Sequence, residues 1–531
     1  MAALSVPTPE EVTVPLTIVA GDDLARGESE TGLPVMISAQ PPPGSVRTPS
    51  DICCVVDVSG SMGGEAMVAT ESGGTTGHGL SVLDIVKHAL KTIIRTLEDG
   101  DRLALVSYSS EAKKVFGVTE MSEAGRRTTE EQLRELTPEG CTNLWAGLKM
   151  GVDILKEASA PGRLQHVMLF TDGMPNVNPP RGIKVMLERL KAKEGGKLPC
   201  TVSTFGFGYE LDSELLSDIA ILGSGTYAFI PDAGFVGTVF VNAMTNLLCT
   251  MGKDAILTVQ PLGGARLAGS GALGGHPTAK AGDGIKIDLG CLQFGQSSDV
   301  LVNVSIPPGH EGDVLEAKLQ YGTRVGPELL ESSARWASVP PDSDAKLQAE
   351  VQRCRLCFVD AVRNAMKASK AAMKAAKLKG DAAAGEAGVL TDGQNLILEV
   401  IEELRRSPAA SGNEFMAALI EDLTGQVSEA FSREDWYEKW GVHYLPSLMS
   451  AHLAQICNNF KDPGVQQYGG TLFEDLRDKA DDIFCSLPAP EPSARPPPPP
   501  VAATPAVAAA PAPVREVAPV SMAAYYDRYA G

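Results

Sequence analysis

Between residues 46 and 251, short apolar runs alternate with longer stretches in which apolar residues recur at helical spacing. In the stretch Leu80–Leu97, for example, Leu83, Val86 and Leu90 are spaced as on the buried face of a helix. Strands that alternate with helices predict a doubly wound, mostly parallel α/β sheet with helices on both faces. The predicted strands are Ile52–Val56, Leu103–Ser107, Val115–Val118, His166–Phe170, Thr201–Phe205 and Tyr227–Ile230, and the predicted helices are Leu80–Leu97, Asn143–Lys156, Gly182–Lys193, Ser213–Leu222 and Phe235–Leu248.

The segments on either side of this unit have a different pattern. Residues 252–335 contain short, partly alternating apolar runs separated by Gly and Pro, such as Ile256–Val259 and Val300–Val304, and this pattern is typical of antiparallel strands. Two similar runs, Val12–Val19 and Leu33–Ile37, lie within residues 1–45. We therefore expect the N-terminal strands to join residues 252–335 in one antiparallel β-sandwich, which flanks the α/β domain of residues 46–251.

Residues 341–485 are predicted to form an all-α domain. The stretch Ala345–Leu378 contains no Gly or Pro and is rich in Ala, Lys, Leu and Met, which are strong helix formers. Leu390–Arg405 and Phe415–Phe431 continue the helical pattern, and residues 436–468 then concentrate aromatic side chains.

The last segment, residues 486–531, consists largely of Pro and Ala and is predicted to be a disordered tail, because it has few side chains that could build a core. The uninterrupted run Pro496–Pro500 has two interpretations. It is either a ligand for the aromatic-lined grooves of SH3, WW or profilin-type partners, or a stiff linker.

The candidate chemistry follows the first strand of the α/β domain. Asp57, Ser59 and Ser61 come directly after the apolar run Ile52–Val56, and in an open α/β sheet ligands bind at the carboxyl ends of the strands. Carboxylate and hydroxyl oxygens are hard ligands of the kind that holds Mg²⁺ while several waters stay bound. Asp and Ser after a strand also commonly make a turn or cap a helix, so these three residues alone leave both interpretations open.

This D-x-S-x-S string resembles the metal-ion-dependent adhesion site of von Willebrand factor type A domains. Two further pieces of that site follow in the expected order: residues 140–144 (GCTNL) resemble the central Thr loop of the family, and residues 169–175 (LFTDGMP) resemble its later Asp. The resemblance implies an intact site in which the hydroxyl residues bind the metal directly and the two Asp residues bind it directly or through water. The implied ligands are Asp57, Ser59, Ser61, Thr142 and Asp172, and the implied cation is Mg²⁺, with Mn²⁺ or Ca²⁺ as alternatives.

The flanking segments carry resemblances of their own. The β-sandwich is placed as in proteins resembling inter-alpha-trypsin inhibitor heavy chains. The helices up to Tyr468 resemble the region C-terminal to type A domains in large eukaryotic intracellular proteins. One departure from the family is the insertion Gly63–Gly79, which is rich in Gly, Ser and Thr. We expect a flexible surface loop there, with a lid that selects the ligand as the alternative.

The resemblance implies a non-enzymatic protein-binding module that captures an acidic residue of a partner through the cation. One rival is a Mg²⁺-dependent hydrolase or phosphatase with Asp57 as nucleophile. Such an enzyme would be expected to carry a second acid two residues later, where Ser59 stands, and the chain has neither a G-x-S-x-G elbow nor a Walker loop. The other rival is a scaffold whose metal site is purely structural.

Composition restricts the partners further. The formal net charge of −20 argues against nucleic acid as a partner, and no apolar stretch is long enough to span a bilayer. The repulsion of an acidic partner by this charge is screened beyond about 10 Å at cellular salt. Met1–Thr13 does not have the pattern of a signal peptide, and Cys53 and Cys54 lie in a predicted core strand, so we expect a cytoplasmic protein.

Overall fold

A six-stranded, mostly parallel sheet with helices on both faces is the largest sheet of the protein. The structure is a computed structural model that describes residues 12–20, 32–44, 47–69, 75–310, 312–323, 329–337, 343–379, 390–459 and 461–492. Two strands precede the α/β unit, β1 (Leu16–Ala20) and β2 (Leu33–Ala39). The unit itself contains, in chain order, β3 (Ser50–Asp57), β4 (Glu65–Ala69), β5 (Thr75–Ser81), α1 (Val82–Thr96), β6 (Arg102–Tyr108), β7 (Ala112–Glu120), α2 (Glu123–Arg134), α3 (Leu144–Glu157), β8 (Leu164–Thr171), α4 (Ile183–Lys193), β9 (Thr201–Phe207), α5 (Ser213–Leu222), β10 (Ser224–Ile230) and α6 (Val236–Leu248).

The sheet order is β10-β9-β8-β3-β6-β7, and only β7 runs antiparallel to its neighbour. Because successive side chains of a strand point to opposite faces, β3 contributes to two cores. Cys54 and Val56 join the core beneath α1 and α6, whereas Cys53 and Val55 join the core beneath α3, α4 and α5. The predicted doubly wound α/β fold is confirmed, and burial on both faces explains why β3 is a continuous apolar run.

Two features of this unit differ from the sequence predictions. The insertion that we expected to be a flexible loop contains a hairpin, in which β4 and β5 pair antiparallel with Met67 opposite Gly77. Residues 70–74 lie outside the described residues. The hairpin follows the carboxyl end of β3, so it stands at the edge of the sheet that carries the candidate ligands. Helix α2, which the sequence analysis did not predict, begins after Ser122, whose hydroxyl accepts a hydrogen bond from Gly125 N.

Two antiparallel sheets build the β-sandwich, in the orders β1-β2-β15-β12 and β13-β14-β11-β16-β17. β2 pairs with β15, placing Ile37 opposite Val300, so the N-terminal strands share a sheet with strands from beyond the α/β unit. The inner faces of both sheets meet in one apolar core that includes Val35, Leu257 and Leu319. The strands after α6 are β11 (Thr250–Pro261), β12 (Arg266–Ala272), β13 (Thr278–Ala281), β14 (Gly284–Gln293), β15 (Ser298–Ser305), β16 (Asp313–Thr323) and β17 (Leu329–Ala337).

The C-terminal region is helical, as predicted. Its elements are α7 (Ser343–Lys379), α8 (Thr391–Arg406), α9 (Glu414–Asp422), a π-helical turn (Leu423–Val427), α10 (Ser428–Ser432), α11 (Glu434–Trp436), a second π-helical turn (Tyr437–Gly441), α12 (Val442–Ala454) and α13 (Thr471–Ser486). None of the helices within the described ranges combines the length and apolar character needed to cross a bilayer. The predicted tail lies outside the described residues from residue 493 onward, and so does Pro496–Pro500.

Buried polar contacts dock these helices onto the α/β unit and the sandwich. The Nδ1 atom of His443 on α12 lies 2.6 Å from Ser213 Oγ on α5. The guanidinium of Arg355 on α7 is fully buried and donates to the carbonyl oxygens of His452 and Asp299, each over 2.6 Å. Because Asp299 belongs to β15 and His452 to α12, this one side chain joins the helical region to the sandwich.

Candidate metal site

Asp57 is the last residue of β3, and its carboxylate is completely buried. Its Oδ1 accepts a hydrogen bond of 2.8 Å from Ser59 N, which turns the chain sharply after the strand. Its Oδ2 accepts a bond of 2.7 Å from the hydroxyl of Thr171, the last residue of the neighbouring strand β8. Two donors therefore fix the Asp57 carboxylate at the carboxyl edge of the sheet.

The two serines and the second aspartate meet beside Asp57. Ser59 Oγ lies 3.1 Å from Ser61 Oγ, and Ser61 Oγ donates to Asp172 Oδ1 over 2.7 Å, which brings together residues that are 111 positions apart in the chain. Ser59 is buried and Ser61 is exposed. The cluster of oxygen atoms thus opens to solvent on the Ser61 side.

Thr142 is held next to this cluster by its backbone. Gly60 N donates to the carbonyl of Gly140 over 3.2 Å, which ties the serine loop to the threonine loop. Asn176 then clamps Thr142 from the third loop, because its Oδ1 accepts from Thr142 N over 2.8 Å and its own N donates to Thr142 O over 3.1 Å. The Thr142 side chain is buried, and its hydroxyl makes no hydrogen bond with any residue that the structure describes.

Electrostatics at this edge favour a cation. Burial raises the pKa of Asp57 above its usual value, although the bonds from Ser59 and Thr171 oppose this. Burial also raises the pKa of Asp172 to about 6, and the negative charge of Asp57 adds to the effect while the Ser61 hydroxyl opposes it. Two carboxylates that repel each other in a partly desolvated place are stabilised by a positive charge between them.

The donor set fits a hard cation. It comprises two carboxylates and three hydroxyls, and oxygen ligands of this kind suit Mg²⁺, Mn²⁺ or Ca²⁺. Among the described residues, no group of three or more His, Cys, Asp or Glu side chains is arranged to hold a metal. A cation here would therefore depend on the hydroxyls of Ser59, Ser61 and Thr142 beside the two carboxylates.

Thr171 and Asn176 orient the predicted ligands but were not among the residues predicted from the sequence. Thr171 lies directly before Asp172, inside the quoted LFTDGMP string, so its position was a usable signal. Asn176 follows that string and carries no signal of its own, because the bond to Thr142 is a tertiary contact between two loops.

Comparison with known families decides how this arrangement is classified. Residues 52–174 match the family model of the von Willebrand factor type A domain, and these residues contain all five predicted ligands. This part of the chain is a von Willebrand factor type A domain. Residues 413–482 match a second family model, described as VWA / Hh protein intein-like, which agrees with the resemblance of the C-terminal helices to a region that accompanies type A domains.

Individual relatives are similar over part of their length. An uncharacterized protein, YfbK of Escherichia coli (strain K12), is 27% identical over 230 residues, which are 43% of this chain and 36% of that protein. Human inter-alpha-trypsin inhibitor heavy chain H3 is 27% identical over 196 residues, 35% of this chain and 19% of that protein. This chain therefore spans well under half the length of both relatives.

A solved structure, von Willebrand factor type A from Catenulispora acidiphila, covers more of the molecule. It matches 78% of this chain and 91% of its own with a TM-score of 0.56 and 17% identity. At that identity the likeness establishes the fold, which extends beyond the type A domain into the flanking regions.

Proposed function

We propose that this protein binds a protein partner through a divalent cation held by Asp57, Ser59, Ser61, Thr142 and Asp172. Mg²⁺ is the expected ion, with Mn²⁺ or Ca²⁺ as substitutes, and an acidic side chain of the partner completes its coordination. The cation would supply a positive charge and an open coordination position, and the protein side chains hold it and leave one side accessible. Type A domains commonly serve as protein-interaction modules, and this proposal assigns that role to the present chain.

One observation carries the proposal. The hydrogen bond between Ser61 and Asp172, together with the Ser59–Ser61 contact, gathers three of the five oxygen-bearing side chains into one cluster beside the buried Asp57. Ser61 is exposed whereas Asp57 and Ser59 are buried, so a partner would approach from a single side. A purely structural cation would gain from full enclosure, which the exposure of Ser61 does not provide.

The position of Asp57 argues against the hydrolase or phosphatase alternative. A nucleophilic carboxylate must be within reach of the substrate. Each oxygen of Asp57 accepts one hydrogen bond, from Ser59 N or from the Thr171 hydroxyl, and keeps a lone pair for a small cation, but the side chain is completely buried and out of reach of a larger substrate. The geometry therefore suits a group that organises the site better than one that attacks a substrate.

The first test is calorimetric titration of the full chain with Mg²⁺, Mn²⁺ and Ca²⁺. Wild type should bind one ion per chain, and Asp172→Ala should lose most of the affinity. Asp218→Ala is the matched control, because it also removes one negative charge. Asp218 lies on α5 and pairs with Lys184, away from the site. Binding that is equal in wild type and Asp172→Ala would contradict the assigned ligands.

The second test separates capture of a partner from a scaffold. Immobilised wild type, Asp172→Ala and Asp218→Ala are each used to capture proteins from a cell extract, with Mg²⁺ or with chelator. A metal-mediated module loses the same partner with chelator and with Asp172→Ala, and keeps it with Asp218→Ala. A scaffold with a structural metal keeps its partners in Asp172→Ala.

A further inference from the structure

A groove lies along α3, on the side that faces the edge strand β7. Its volume is 510 Å³, and it is lined by Lys114, Trp145, Ala146, Lys149, Met150, Asp153, Ile154 and Glu157. Helix α3 begins two residues after Thr142, with Asn143 as its N-cap. The upper end of the groove therefore adjoins the threonine loop.

The lining has an apolar floor that the fold leaves only partly covered. Trp145, Met150 and Ile154 of α3 pack against the core beneath the sheet but are not fully buried by it. Tryptophan is one of the side chains that are enriched at the energetic centres of protein interfaces. The floor can therefore accept apolar side chains from a second molecule.

The charges of the groove change sign along its length. Lys114 and Lys149 lie toward the end near Thr142, whereas Asp153 and Glu157 lie one and two helical turns farther on. Lys149 forms an ion pair with Asp153, and Lys114 and Glu157 are exposed. A complementary segment would carry its acidic residue at the metal end and a basic residue at the far end.

The length of the groove sets the length of that segment. From Trp145 to Glu157 the helix rises about 18 Å. An extended segment of seven residues covers about 20 Å in its six steps, which spans this distance, and its alternate side chains point to the same face. An acidic residue, two apolar residues and a basic residue at alternate positions would therefore all face the groove.

The adjacent strand disfavours recognition by strand addition. β7 is the last strand of its sheet, and its pairing with β6 contains two register shifts. Bulges and exposed lysines such as Lys113 and Lys114 protect a sheet edge from pairing with another strand. Recognition in this groove therefore depends on side chains.

We propose that the groove along α3 determines which partner the protein binds, and that it accommodates an extended partner segment of the pattern acidic-x-apolar-x-apolar-x-basic. This inference rests on the proposed function, since the acidic residue is the one that reaches the cation. The pattern distinguishes the partner from a simple acidic run, which Asp153 and Glu157 would repel.

The test uses a labelled eight-residue peptide with Asp at position 1, Leu at positions 3 and 5 and Lys at position 7, with Ser elsewhere. Fluorescence anisotropy with Mg²⁺ should show binding that is lost with chelator. A second peptide with Glu at position 7 should bind wild type about fivefold more weakly, the upper value for an exposed ion pair. Glu157→Lys should reverse this preference, whereas Glu188→Lys, an exposed site on α4, should leave it unchanged.

Trp145→Ala provides a second, independent variant and should weaken the first peptide at least tenfold. Circular dichroism melting checks that it folds; if it does not, the charge reversal at Glu157 still decides the question. Two outcomes would contradict the proposed role of the groove but not the metal site. One is metal binding without peptide binding, and the other is a peptide preference that Glu157→Lys leaves unchanged. Peptide binding that needs Trp145 but is insensitive to chelator would instead overturn the proposed function.

Discussion

Replacing Thr171 by valine tests how strongly the buried network at the edge of the sheet controls the metal site. Valine keeps the shape of threonine but removes the hydroxyl that donates to Asp57 Oδ2 over 2.7 Å. Both residues are fully buried, so no solvent can replace the lost bond. A hydrogen bond to a charged group contributes about 2 kcal/mol, and for a domain of about 200 residues its loss lowers the melting temperature by about 4–8 °C.

The same variant should weaken metal binding. Partners that orient a metal ligand without touching the metal typically contribute about 10- to 100-fold in affinity. Thr171→Val should therefore reduce Mg²⁺ or Mn²⁺ affinity by about that factor in calorimetry, whereas Thr171→Ser, which keeps the hydroxyl, should stay close to wild type. A Thr171→Val protein that binds the ion as tightly as Thr171→Ser would refute the argument that this bond organises Asp57.

Two further predictions concern the helical region. Arg355→Met should lower the free energy of unfolding, measured by urea denaturation, by about 4 kcal/mol, because buried carbonyl oxygens of Asp299 and His452 lose their donor. Arg363→Met is the control and should lower it far less, because the guanidinium of Arg363 is partly exposed. Burial raises the pKa of Asp422 to about 8, so the folded state keeps a proton that an unfolded Asp has released, and stability should fall as the pH rises toward 8. Burial lowers the pKa of His452 to about 3 and that of His166 to about 4, so these side chains still lose protons from the unfolded state just above pH 6.5, which raises stability there. The difference in unfolding free energy between wild type and Asp422→Asn removes this shared contribution, and it should fall by roughly 2 kcal/mol from pH 6.5 to 8. A difference that stays constant over this range would contradict the assignment.

The elements that the sequence predicted well are those whose burial follows a simple period. β3 and β8 are buried on both faces and appear as continuous apolar runs, and α1 shows one apolar stripe. Helix α2 lacks this signal because its few buried residues include the polar Thr129 and Glu130, the latter paired with Arg95. The β4–β5 hairpin was missed for a similar reason: β4 is only five residues long, β5 is rich in Gly, Ser and Thr, and the two strands are specified by pairing with each other.

The candidate ligands could be predicted from motif spacing, but the hydrogen bonds that orient them and that hold the domains together could not. The bond that Thr142 N donates to Asn176 Oδ1 and the contact between Ser213 and His443 join residues 34 and 230 positions apart. Such contacts involve single polar side chains whose partners are fixed only when loops and domains are packed together. The groove along α3 is invisible in the sequence for the same reason, because its walls are set by how α3 lies beside β7.

Crystals of the full chain soaked in Mn²⁺ provide the most direct measurement of the metal site. Anomalous scattering locates the ion without reference to any motif. The account predicts one strong peak at the carboxyl edge of the sheet, in coordination contact with the hydroxyls of Ser59, Ser61 and Thr142 and beside Asp57 and Asp172. No peak there in ion-saturated crystals, or a peak enclosed by other side chains, would contradict it.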